Sequence, residues 1–167
     1  IKAAIFEYIG RIDSGDICKD KKRFKKIIDI FSSNKEFNLI CSSLITGKNN
    51  IVNPRLHYVS NILSPFSKVP HPTWVFKREL INYQYRYDTY RFEDYAFLIE
   101  NKAKIFILPS VDTYYDNETR MLIHDEIRLT FSKTLFFLSK SKNNFQSYLV
   151  SFLYIFLRII RLAISRK

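Results

Sequence analysis

Short apolar runs, each closed by turn residues, alternate with helix-period stretches over the first two thirds of this chain, and few folds accommodate that alternation. Glu7 to Ile12 reads as a strand running into Asp13. Phe24, Ile27, Ile28 and Phe31 fall at i, i+3, i+4 and i+7, which predicts an amphipathic helix over Lys21 to Phe31. Phe37 to Ser42 reads as a second strand, followed by a turn at Gly47-Lys48-Asn49-Asn50. Four prolines, Pro54, Pro65, Pro70 and Pro72, punctuate the stretch from Pro54 to Pro72, which reads as a long loop with one helical turn. Thr73 to Phe76 is a short strand, Tyr83 to Arg91 an aromatic-rich loop, Glu93 to Asn101 a helix, and Lys104 to Leu108 a strand stopped by Pro109. From about Glu118 the pattern is helical, with a break near Ser141 to Asn144. The expected class is α/β, a mixed sheet with flanking helices and a helical C-terminal extension.

At 167 residues the chain is long enough for one well-buried domain. A hydrophobic content of 47% with 16% aromatics excludes general disorder. Cys18 and Cys41 lack any CxxC or Cys/His pattern, which predicts reduced thiols in a cytosolic setting and no zinc site. The chain begins at Ile1, in residues that read as a helix already under way, so we expect it to lack an N-terminal part.

The net charge is +11, and its placement is uneven. Lys19 to Lys26 carries five lysines and Arg23 against Asp20 alone, and most of these charges are expected on the wet face of the predicted helix. After Glu126 there is no acidic residue, while Arg128, Lys133, Lys140, Lys142, Arg158, Arg161, Arg166 and Lys167 follow. Such asymmetry points to a polyanionic partner. In the tail, Ser147, Ser151, Tyr154, Arg158, Arg161 and Ser165 are spaced 4, 3, 4, 3, 4, a narrow polar stripe on an otherwise apolar helix. Its uncharged run, Phe145 to Leu157, is 13 residues, short of the ~20 that span a bilayer. Residues 145–167 are therefore expected to lie on an anionic membrane surface, the alternative being a helix docked on the domain or on a partner protein.

Two acidic clusters carry the chemistry. Asp13-Ser14-Gly15-Asp16 ends the first strand, where closely spaced carboxylates can seat a divalent cation. Glu93-Asp94 opens a helix, where a carboxylate can serve as a base. The structural alternatives are an Asx-turn for the first and macrodipole stabilisation for the second.

Tyr8-Ile9-Gly10-Arg11-Ile12-Asp13-Ser14-Gly15-Asp16-Ile17 with Lys22-Arg23-Phe24 resembles the metal-site strand and next helix of the GT-A, family 2 glycosyltransferases. Val69 to Arg78, with Pro70-His71-Pro72, resembles the family's middle strand. Phe92-Glu93-Asp94-Tyr95-Ala96-Phe97-Leu98 resembles its Glu-Asp-Tyr helix, and Lys104 to Pro109 the strand after it. The likeness covers roughly Ala4 to Tyr115. It implies a partial GT-A-like catalytic domain over 1–117 without its N-terminal nucleotide-binding strands; the helical pattern and the charge of the tail add a helical extension over 118–144 and the membrane-associated helix over 145–167.

The resemblance further implies inverting transfer of a sugar from a nucleotide-diphosphate donor to a hydroxyl of a bacterial surface glycan, lipid-linked or free, such as lipopolysaccharide or capsule. Asp16 and Asp13 would hold Mg²⁺ or Mn²⁺, Asp94 would be the general base, Glu93 would orient or assist, and His71 would touch diphosphate or acceptor unless it is structural. Gly15 stands where many relatives carry Asp, and Tyr114-Tyr115-Asp116 where Tyr-Arg is usual. The implied location is cytoplasmic, peripheral on the inner face of the cell membrane, and the isolated chain is expected to turn over poorly. Competing readings are a basic nucleic-acid-binding module, using lysines for phosphate and tyrosines for stacking, and a non-catalytic membrane-docking remnant. No nucleic acid partner is expected, because the basic residues do not gather with the tyrosines.

Overall fold

The computed structural model describes residues 5–13, 15–81, 89, 91–115, 121–141 and 144–164. Its strands are β1 (Tyr8–Gly10), β2 (Ile17–Cys18), β3 (Leu39–Thr46), β4 (Ile51–Val52), β5 (Tyr58–Val59), β6 (Ile62–Leu63), β7 (Val75–Lys77) and β8 (Ile105–Tyr115). Its helices are α1 (Arg23–Ser33), α2 (Glu93–Glu100), α3 (Ile123–Lys140) and α4 (Phe145–Ile164). The chain is mixed α/β with a curled mixed sheet, as the alternation predicts. Most of the aromatic loop at 83–91 lies outside the described residues.

The chain divides into two units. The first comprises Ile1–Pro54, Lys68–Gln84 and Glu100–Glu118, and contains the six-stranded sheet in the order β1-β7-β3-β8-β2, with β4 beside β3. Within it β3 and β8 run parallel, and the other pairings are antiparallel. Residues 11–16 therefore connect the two edge strands of one sheet. One face is covered by α1, whose Ile27 and Phe31 pack with Ile40, Val75 and Leu108, while the Tyr8 ring stacks on Phe31. Each such fully buried side chain contributes about 1.5–3 kcal/mol.

Two details depart from the sequence reading. Pro109 does not stop the last strand: β8 continues to Tyr115. Opposite β3, Leu108 pairs with Ser42 but the next partner, of Ser43, is Val111, so Pro109 falls in an irregularity where its missing N–H costs no ladder bond. Pro54 to Pro72 is not simply loop; it holds the β5–β6 ladder, turned through Ser60 and Asn61 at positive φ, and a 3-10 turn at His71–Thr73 that leads into β7.

The second unit comprises Arg55–Ser67, Tyr85–Ile99 and Thr119–Lys167. It holds the β5–β6 hairpin, α2 through Ile99, and the paired helices α3 and α4. Aromatics at the start of α2 meet α3: the Phe92 ring, just before α2, lies 5.5 Å and that of Tyr95 6.3 Å from the Phe136 ring. Tyr154 of α4 meets Phe66 edge-on at 5.1 Å.

Candidate functional site

Asp13 and Asp16 close the turn that leaves β1. The Asp16 N–H donates to the Asp13 carbonyl at 3.1 Å, and the Asp13 N–H donates to Asp16 Oδ2 at 3.1 Å. Gly15 sits at φ 94°, a backbone region that an L side chain enters only with strain. This is a physical reason for glycine at a position where the resemblance would lead one to expect Asp. Ser14 lies outside the described residues.

Arg11 organises the turn. Its Nε donates to Asp13 Oδ1 at 3.0 Å, and its Nη1 lies 2.9 Å from His71 Nε2. Guanidinium can only donate, so His71 Nε2 accepts and its proton resides on Nδ1. Burial, reinforced by the Arg11 charge, pulls the His71 pKa down to about 4, so the imidazole is neutral at physiological pH. The ring meets Trp74 edge-on at 4.8 Å. Residues from two separate motifs, 8–17 and 69–78, are thus joined through one guanidinium.

The carboxyl of Asp16 is raised above its ordinary value, first by burial and then by the Asp13 charge. Two carboxylates at one turn are oxygen ligands of the kind that Mg²⁺ or Mn²⁺ would take, with water or phosphate needed to fill the remaining positions. Asp13 is already paired with Arg11 at 3.0 Å, which would leave Asp16 the better placed of the two for a cation. Among the described residues no group of three or more His, Cys, Asp or Glu side chains is placed to hold a metal.

Behind the turn lies a buried network that the sequence reading missed. Asp112 is the residue at which β8 shifts register a second time against β3, between Val111 and Thr113. A bulge re-aims its side chain, and Asp112 is 1% exposed. It accepts from Ser42 Oγ at 2.6 Å and Ser110 Oγ at 3.0 Å, and pairs with Arg23 Nε at 3.2 Å. Arg23 also donates to the Thr73 carbonyl, and Thr73 Oγ1 accepts from the Ser42 N–H at 3.1 Å. The 3-10 turn bearing His71 is thereby tied to the centre of the sheet. Arg23 belongs to the basic run expected on the wet face; it is the exception, while Lys26 pairs in the open with Asp20 at 2.7 Å. The period 23, 27, 31 already put Arg23 in line with the buried Ile27 and Phe31.

Glu93 and Asp94 occupy the first turn of α2, in the second unit, and are half-buried. Their helix start is held by Tyr95, whose hydroxyl donates to the Leu63 carbonyl at 2.7 Å. Lys133 of α3 sits 4.3 Å over the Tyr95 ring and 5.8 Å from Tyr154, and donates to the Pro65 carbonyl at 2.9 Å. Burial, with a smaller effect from Arg158, lowers its pKa to about 8. Nothing in the local sequence separates Lys133 from a surface lysine. Asp13, Asp16 and His71 thus share the first unit, and Glu93 and Asp94 lie in the second.

Cys18 and Cys41 are free thiols, and burial pushes Cys41 up to about 12, an inert structural thiol. No family model matches the chain, and no curated protein matches it.

Proposed function

We propose that this chain is the catalytic part of a GT-A-type, family 2 glycosyltransferase. It would move a sugar, with inversion, from a nucleotide-diphosphate donor to a hydroxyl of a bacterial surface glycan. The reading rests on the resemblance of the ordered motifs and is carried by one observation: Arg11 bridges Asp13 and His71, joining two of those motifs at a carboxylate turn beyond a strand end.

In this reading Asp16, with Asp13, would hold Mg²⁺ or Mn²⁺. The bound metal supplies Lewis-acid stabilisation of the leaving nucleoside diphosphate. Neutral His71 offers its Nδ1–H to a phosphate or acceptor oxygen, while Arg11 keeps the ring oriented. Asp94 takes the acceptor hydroxyl proton as that oxygen attacks the anomeric carbon, and Glu93 orients the acceptor.

The test combines two readouts, the first on this chain. Mn²⁺ is expected to broaden the backbone resonances of Gly15, Asp16 and His71, an effect lost in Asp16→Asn. In the full-length protein, which would supply the nucleotide-binding strands, release of nucleoside diphosphate from nucleotide-diphosphate sugars is expected to require Mn²⁺ and to fall at least a hundredfold in the same variant. Unchanged resonances at millimolar Mn²⁺ would sink the proposal.

A further inference from the structure

In α4 the Ser147–Ser151–Tyr154 part of the polar stripe faces inward and most of the apolar side chains face out. Ser147, Ser151 and Tyr154 are buried, at 0%, 4% and 9% exposure, whereas Phe152 is 65% and Phe156 and Leu157 are each 50% exposed. α3 repeats the inversion in part: Thr130 and Thr134 are buried with Phe137, and Phe131 and Leu135 are exposed. A helix covering a water-soluble domain shows the opposite arrangement. Exposed apolar side chains from Phe145 to Ile164 run the length of this 20-residue helix, and contiguous apolar surface of that kind marks an interaction or membrane site.

We infer that α3 and α4 together form an in-plane membrane anchor, seated on an anionic bilayer with their apolar faces in the acyl boundary. Charge selects this occupant. No acidic residue follows Glu126, and the exposed cations Arg128, Lys140 and Arg161 lie on the same two helices. Such cations favour the anionic headgroups of a cytoplasmic leaflet. The face itself is flexible aliphatic and aromatic side chain, suited to a fluid acyl layer.

The attachment of α4 argues that it lies along the surface. By length and composition it could cross a membrane. Its N-terminal end is fixed by Asn144, which donates to Ser60 Oγ at 2.6 Å and accepts from the Ser147 N–H and hydroxyl at 2.8 Å. Near its other end Arg158 pairs with Glu126 in the first turn of α3. Crossing would strip both attachments and carry Arg158 and Arg161 into hydrocarbon. The inference does not depend on the transferase reading.

The full chain is floated with vesicles of phosphatidylcholine alone or with 30% phosphatidylglycerol. Co-flotation with the anionic vesicles is expected, at least tenfold weaker with phosphatidylcholine alone. The double variant Phe152→Ser, Phe156→Ser should keep its helical circular dichroism and lose binding at least tenfold. Tryptophans introduced as Leu149→Trp and Ile160→Trp should be quenched by brominated lipids at the same shallow depth. A helix that crosses would separate these probes by about 16 Å and overturn the in-plane geometry. Equal binding to both vesicles, or a stable dimer in lipid-free solution that the double variant dissociates, would also overturn the proposal.

Discussion

His71 shows how one side chain's surroundings set its chemistry. Its folded pKa, about 4, lies below the ordinary 6.5, so the unfolded chain binds the extra proton first. Stability attached to the neutral ring is complete above about pH 6.5 and declines as the pH falls toward 4. We expect unfolding free energy to drop by on the order of 2–3 kcal/mol across that window, and His71→Asn to flatten the dependence, as read by urea denaturation at several pH values. An unaltered slope in the variant would show that other groups govern it. The motif around His71 is plain in the sequence, but its protonation is not, because burial and Arg11 arrive from the fold. Asp112 is a sharper instance: in sequence it is one acid beyond the proline expected to end the strand, and only the bulge turns it onto Arg23.

Helix periodicity correctly located α1 and α4, yet periodicity alone does not say which side of a helix meets the protein. The Ser147–Ser151–Tyr154 stripe would face water on an ordinary surface helix, and here it is buried. Substitutions should therefore act in reverse of the usual pattern. Ser151→Leu is expected to destabilise by about 1–3 kcal/mol through overpacking, whereas Phe152→Ser should stay within about 0.5 kcal/mol. Thermal denaturation of the two variants decides it, and the opposite ranking would mean that α4 packs through its apolar side. The length of β8 was likewise hidden: proline reads as a stop, and the register shift that tolerates it is made with β3, a strand distant in sequence.

Across the molecule, the proposed metal ligands and the proposed base fall in separate units, Asp13 and Asp16 in one and Glu93 and Asp94 in the other. Asp94→Asn should therefore leave Mn²⁺ affinity within about twofold while lowering sugar transfer by about 10²–10⁴. Manganese titration alongside a transfer assay reads both, and a parallel loss of metal binding would deny the division of roles. The alternation of apolar runs and helix-period stretches determined the α/β class, and the order of the acidic motifs determined the candidate residues. These are local properties, written in spacing and side-chain type. The tertiary structure alone decided that Arg11 joins Asp13 to His71, that Arg23 is buried on Asp112, and that the apolar side of α4 points outward. Each of those depends on what stands opposite, and a partner tens of residues away leaves no periodicity in the chain that meets it.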